Sequence, residues 1–399
     1  MKNLIRNDID YYFILAVALT APMTFLTLRP IVNVFFADVI IVGYIFYFFC
    51  TGYRRSFDRL TLYSVLLILL GYVLSNTLSP HKDGFYIPLS QYGVVFIFIL
   101  TLSGTKLNYF QIQKVFYFYL IGISSSIIVS MMAFNSIIIF PNLDYFVAGR
   151  FNGVWGNPNG MAKEMISCII FLIGSITFLD NKNKNVLFSS FVIIFSIYLI
   201  FSAASFGGVL FLLMSLFFYF IIVFKDSIKL SFVACLIMVI FLVMYHFFQN
   251  DLLSLLPEKF TQRVLENDSV DTAGSGGEKL EQILFGLSMF VDSPFFGVGL
   301  ENGRYYNEVS NVNSFVPFHS FYITAAVEGG LLTLIGFSSL FYAYYRNIKN
   351  SDYLFNLFLL MLFCFLVNLI INVNVFNRYT WFPMVFGFLC LKKNKGVFR

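Results

Sequence analysis

The sequence predicts an all-α, polytopic integral membrane protein of about 12 transmembrane helices, with a large extracytoplasmic loop that contains an amphipathic helix. Three observations predict it. Of the 399 residues, 59% are apolar and only 12% are charged, against about 25% charged in a typical soluble domain. The mean hydropathy is +0.80. The apolar residues fall in long runs separated by polar breaks that carry most of the lysine and arginine. A soluble chain of this size needs more polar surface to cover its core, so a cytosolic enzyme and a disordered chain are excluded. The net charge of +5 is too small for a nucleic-acid binder.

A bilayer core takes about 20 mostly apolar residues per helix. The runs give candidate spans at 12–28, 31–50, 60–77, 88–104, 115–134, 161–179, 187–203, 206–224, 229–248, 320–345, 353–373 and 376–391. The first run, behind Lys2 and Arg6, has the look of a signal-peptide core, but no small-residue cleavage pattern follows it and Arg29–Pro30 leads directly into the next span. It is read as a retained helix. With a cytoplasmic N-terminus, the inner loops carry 17 of the 26 basic residues, at least two in each, while the short outer loops carry at most one. This positive-inside bias places both termini in the cytoplasm of a multi-pass inner-membrane protein.

The whole chain, 1–399, reads as one membrane domain with two long outer segments, 135–160 and 249–319. The second joins the ninth and tenth spans and holds ten acidic residues. Within it, Leu280, Ile283, Leu284, Leu287 and Phe290 recur at helical spacing over Glu278–Val291. That pattern predicts an amphipathic helix lying on the membrane surface or capping the bundle. The preceding VDTAGSGG has the composition of a hinge. Cys50, Cys168, Cys235, Cys364 and Cys390 all lie in apolar runs without paired spacing, which argues against disulfides and zinc. No metal and no cofactor is expected.

The outer boundary has few basic residues. An enzyme acting on a lipid-linked anion needs fixed cations there, and the planar fork of arginine suits a diphosphate. Arg150 stands in GRFNGVWGNPNGMAKE, with Asn157 and Asn159 flanking Pro158 at a helix start, followed by Lys163 and Glu164. The two asparagines suit turn and cap positions as well as substrate contact. A second cluster, SPFFGVGLENGRYY followed by VPFHSFYITAAVEGG, contains Arg304 and His319. A neutral imidazole at this boundary suits a general base for a hydroxyl proton. Glu328 lies nine residues further on, on the opposite face of a continuous helix, so a direct pair with His319 requires the helix to break. Glu164 and Glu328 are candidates to bind sugar hydroxyls. Asp38, in the second span, is costly in lipid and suits a paired structural role. His246 beside Phe247 and Phe248 reads as interfacial packing.

These motifs resemble the O-antigen ligase and O-antigen polymerase superfamily of bacterial envelopes. The resemblance rests on Arg150–Phe151–Asn152–Gly153 leading to Asn157 and Asn159. It rests further on Pro294–Phe295–Phe296–Gly297–Val298–Gly299 leading to His319–Ser320, and on Glu328–Gly329. It implies metal-independent glycosyl transfer from an undecaprenyl-diphosphate-linked oligosaccharide, with the lipid bilayer and a chain-length regulator protein as partners and no nucleic acid. His319 takes the catalytic position. Arg150 takes the first diphosphate-binding position, with Arg304, Arg263 and Arg378 as candidates for the second. Asn157, Asn159, Glu164 and Glu328 are substrate-binding candidates. Family members often carry Ser–Arg–Gly at the start of the eighth span, where this chain has Ser205–Phe206–Gly207, and a second arginine where it has Gly276–Gly277–Glu278. Polymerisation of lipid-linked repeat units is the leading expectation, and ligation of the glycan to lipid A core or protein is the alternative. A polysaccharide transporter, a different class, predicts the same span count, but transporters place ionisable groups at the midplane and show repeat symmetry.

Overall fold

The computed structural model describes residues 2–26, 36–51, 57–79, 86–137, 146–147, 150–155, 157–178, 186–203, 205–224, 277–303, 306, 318, 320–349, 354–370 and 384–391. The expected ninth span (229–248) and the VDTAGSGG segment lie outside these residues. The helices are α1 (Lys2–Thr20), α2 (Phe36–Cys50), α3 (Arg59–Leu78), α4 (Tyr86–Ser103), α5 (Tyr109–Phe134), α6 (Pro158–Phe178), α7 (Val186–Ser202), α8 (Phe206–Val223), α9 (Gly277–Asp292), α10 (Phe321–Lys349) and α11 (Phe355–Ile370). Five of them, α3, α4, α5, α6 and α10, are long and apolar enough to cross a membrane. Shorter apolar helices occupy five more of the expected spans. The protein is all-α and polytopic. Its strands are two-residue pieces: β1 (Lys106–Leu107), β2 (Phe146–Val147), β3 (Arg150–Phe151) and β4 (Cys390–Leu391).

Two expected boundaries move. The first span was expected over 12–28, but α1 ends at Thr20. Pro22 explains the stop, because its ring disfavours helical backbone in the residue before it. The freed Pro22 carbonyl accepts the Ser126 hydroxyl of α5 at 2.7 Å. The twelfth span was expected to run as helix to residue 391. Instead Phe386–Phe388 form a 3-10 turn, and Cys390–Leu391 pair in parallel with Lys106–Leu107. Phe386 packs edge-on against Phe116 and Tyr119 of α5. Aromatic packing and a strand bridge across the bundle override the helical tendency of an apolar run.

Small residues set the closest contacts, as expected where apolar lipid gives no drive to helix association. A Cβ on Gly71 of α3 would collide with Thr333 of α10, and one on Gly336 with Ile68. One end of this pair is tied by an ion pair between Arg346 of α10 and Asp58, the N-cap of α3, which also accepts the Thr61 amide at 2.9 Å. Helix α6 is the central element, with 72% of its most apolar stretch buried. It packs on α7, α8 and α11.

Helix α10 is broken at Gly330, whose φ of 66° and ψ of −167° lie outside any helix. In an unbroken helix the Leu331 amide would bond the Val327 carbonyl. Here Leu331 donates to the Pro294 carbonyl at 2.8 Å, and the Val327 carbonyl accepts from Val298 at 2.8 Å. The Gly299 amide donates to the Glu328 carbonyl at 3.1 Å. The Pro294–Gly299 segment has thus inserted into the ladder of α10. Gly297 and Gly299 also have positive φ, 69° and 105°, and a Cβ at Gly297 would meet the Val327 carbonyl. We expect Gly330→Ala to lower the thermal unfolding midpoint of the purified protein. The loss corresponds to about 1–3 kcal/mol for a forced positive φ plus a steric clash with Phe295, and Leu331→Ala at the exposed neighbour serves as the control with little effect.

Candidate functional site

The approach to α6 is built from short pinned pieces. β2 and β3 form a hairpin that pairs Val147 with Arg150 and Phe146 with Phe151. Phe151 packs edge-on against Phe134 of α5, and Phe134 packs the same way against Tyr198 of α7. A 3-10 turn, Gly153–Trp155, follows. Its Val154 carbonyl accepts the Thr24 hydroxyl at 2.8 Å, and its Val154 amide donates to Ser130 at 3.2 Å. Gly153 has φ 53°, and a Cβ there would press on Ser130 and Met161. The chain enters α6 in a fixed direction.

Asn157 caps α6, its side-chain oxygen accepting the amides of Asn159 at 2.9 Å and Gly160 at 3.3 Å. Asn159 is then free to turn outward, and its Oδ1 accepts two donors. One is the Arg150 guanidinium at 2.8 Å and the other is the Ser205 hydroxyl at 2.9 Å. Arg150 Nε also donates to the Ala203 carbonyl at 2.8 Å. Ser205 in turn caps α8 by accepting the Gly208 amide at 3.2 Å. One hydrogen-bonded group therefore gathers β3, the start of α6 and the turn between α7 and α8. These two bonds orient the guanidinium.

The structure brings Arg150, Asn157 and Asn159 together and puts the two glutamates elsewhere. Glu164 is fully buried, on the side of α6 that faces α5. Its Oε1 accepts the Tyr119 hydroxyl at 3.2 Å, and its Oε2 has no hydrogen-bond partner. Glu328 is buried at the clasp, where its carbonyl accepts both the Ser75 hydroxyl and the Gly299 amide. Its carboxyl lies beside Gly303, and nearby the stacked pair Tyr72–Tyr92, with centroids 5.1 Å apart, joins α3 to α4. Asn302 ties this loop to α3 through Ser79 at 2.8 Å and bonds the Val298 carbonyl at 2.9 Å. The helix break that a pairing of His319 with Glu328 would require does occur, but at Gly330, beyond Glu328. His319, Arg304, Arg263 and Arg378 lie outside the described residues.

Sequence reasoning missed Ser205, Ala203 and Tyr119. Ser205 stands in the very run, Ser205–Phe206–Gly207, where a family arginine is absent, and its serine type before an apolar helix is a legible cap signal. Ala203 contributes only a backbone carbonyl, which no side-chain pattern announces. Among the described residues no group of three or more His, Cys, Asp or Glu is placed to hold a metal ion.

A bundle of apolar helices, five of them long enough to cross a bilayer, defines the class as integral membrane proteins, here with an oriented arginine beside the start of α6. Residues 191–338 match the family model described as O-antigen ligase, and this match supports a likeness to the O-antigen ligase and polymerase superfamily. It supports membrane glycosyl transfer of the ligase or polymerase type. The matched stretch runs from α7 through the α10 clasp and includes Ser205, Glu328 and His319; Arg150, Asn157, Asn159 and Glu164 precede it. No curated protein matches the chain.

Two substitutions probe the local geometry. Asn159→Ala removes the acceptor shared by Arg150 and Ser205. It is expected to cost about 1 kcal/mol and to speed amide hydrogen exchange at the α7–α8 turn, whereas Asn159→Asp keeps the acceptor and has a smaller effect. Tyr119→Phe strips Glu164 of its hydroxyl donor. It should lower stability by about 1–3 kcal/mol in thermal unfolding, the usual cost of stranding a buried polar group.

Proposed function

We propose that the protein is a surface-polysaccharide polymerase. It transfers a growing glycan from undecaprenyl diphosphate onto the next lipid-linked repeat unit, at the outer face of the bacterial inner membrane and without a metal. The observation that carries the reading is the arginine clasp. A guanidinium oriented by the Ala203 carbonyl and the Asn159 side chain is a preorganised cation where a diphosphate leaving group develops charge. In the proposed step an acceptor hydroxyl attacks the anomeric carbon and His319 takes the hydroxyl proton. The bond from that carbon to the diphosphate oxygen breaks, and undecaprenyl diphosphate departs against Arg150 and a second cation drawn from Arg304, Arg263 and Arg378. Asn157, Asn159, Glu164 and Glu328 are the proposed substrate contacts. A chain-length regulator is the proposed protein partner. The lysine and arginine distribution supports an outward-facing site with both termini cytoplasmic. The description of the matched family as O-antigen ligase favours a second reading, in which the glycan is transferred to lipid A core or protein.

Glycan profiling of a deletion strain separates the two: single repeat units identify a polymerase, and long unattached chains a ligase. In complementation, Arg150→Ala and His319→Ala are expected to abolish chain growth at normal membrane abundance. Arg150→Lys is expected to restore little, because an ammonium does not present the two directed donors that reach Ala203 and Asn159. Normal glycan from Arg150→Ala would overturn the mechanism.

A further inference from the structure

Helix α9 has two different faces, one packed on the protein and one exposed. Gln282, Gly286 and Met289 are buried, and Phe285 and Met289 pack with Phe318, Val327 and Ile323. A Cβ on Gly286 would strike Ile323 and Phe318, so the helix lies tight against the start of α10. The apolar row Leu284, Leu287 and Val291 faces outward, with Val291 73% exposed. The row continues into Phe295, 66% exposed, and Phe296. Glu281, Ser288 and Asp292 form an exposed polar flank beside it.

Depth along α10 decides what covers this row. The helix carries Arg346 and Lys349 in its last turn, and its unbroken part from Leu331 to Lys349 is about 28 Å long against an apolar layer of about 30 Å. Counted from Tyr345 at the basic end, Leu331 stands about 21 Å up, within the layer, and Ile323 lies past the Gly330 break, further toward the other boundary. The Pro294–Gly299 segment bonds to α10 at Val327, Glu328 and Leu331, inside the layer. Non-helical backbone at that depth must have its polar groups satisfied by protein. The insertion into the α10 ladder does this, and Gly297 also donates to the Ser293 carbonyl at 3.0 Å. Leu331, whose amide bonds the Pro294 carbonyl beside Phe295, begins the exposed side of α10 with Ile335 and Tyr342.

We propose that α9 and the Pro294–Gly299 turn form a membrane-inserted wedge. Leu284, Leu287, Val291, Phe295 and Phe296 sit among the acyl chains of the leaflet at the Phe321 end of α10, while Glu281 and Asp292 stay in the aqueous interface. The occupant of the apolar face is the lipid bilayer itself, because the face is continuous with a transmembrane surface and lies at bilayer depth. The inference stands independently of any catalytic role for the protein.

The test uses the full chain in phosphatidylcholine nanodiscs, with Trp155 and Trp381 replaced by Phe and one Trp introduced at a time. Leu284→Trp, Val291→Trp and Phe295→Trp are expected to emit blue-shifted fluorescence. They should lose much of it when the lipid is brominated on its upper acyl carbons. Asp292→Trp should be indifferent to brominated lipid and quenched by aqueous acrylamide. A second measurement leaves both native tryptophans in place: Val291→Cys should resist a membrane-impermeant maleimide in nanodiscs and react after denaturation, while Asp292→Cys reacts at once. Absence of lipid quenching at all three row positions, or equal labelling of Val291→Cys and Asp292→Cys in nanodiscs, would overturn the wedge.

Discussion

Backbone hydrogen bonds inside an apolar layer have no water to fall back on, and this constraint governs the most consequential feature of the fold. Helix α10 breaks at Gly330, which would leave amides and carbonyls stranded at membrane depth. The Pro294–Gly299 segment takes the vacated bonds at Val327, Glu328 and Leu331, so that helix and loop complete one another's hydrogen bonding. Gly297 and Gly330 are needed because each adopts a positive φ at a close backbone approach, and Gly299 because it adopts a positive φ against the Asn302 and Ser79 side chains. The Ser75 and Ser79 hydroxyls extend the junction to α3.

The same economy shapes the mouth of α6. The amide oxygen of Asn159 serves both Arg150 and Ser205, and the Asn157 oxygen satisfies the first amides of the helix. The Ala203 carbonyl and the Asn159 amide oxygen fix the direction of the guanidinium. The two glutamates have different surroundings. Glu164 meets α5 through Tyr119, and Glu328 meets α3 and the inserted loop.

Much of this was legible in the chain. Apolar runs gave the spans because the length of a membrane helix is fixed by bilayer thickness, and ten of the expected spans have an apolar helix. The grouping of Arg150 with Asn157 and Asn159 was legible too, since all three fall within ten residues of one another around a helix start. The end of α1 at Pro22 was a readable signal that hydropathy alone passed over. The strand pairing of Cys390–Leu391 with Lys106–Leu107 was not readable, since it joins segments nearly three hundred residues apart by backbone bonds alone. The amphipathic pattern of α9 was legible, but not that Gln282, Gly286 and Met289 take the protein contact while Leu284, Leu287 and Val291 stay exposed.

The sequence by itself determined the class of protein, the number and boundaries of most spans, and the residue types available at the mouth of α6. Hydropathy, charge bias and capping chemistry act locally, so they can be read from neighbours in the chain. Tertiary structure alone decided that α10 breaks and is completed by a distant loop, that Arg150 is held by the Ala203 carbonyl, and that Glu164 faces Tyr119. These are pairings of backbone and side-chain groups far apart in sequence. The bundle fixes them by burial, and no local pattern encodes which partner each group will meet.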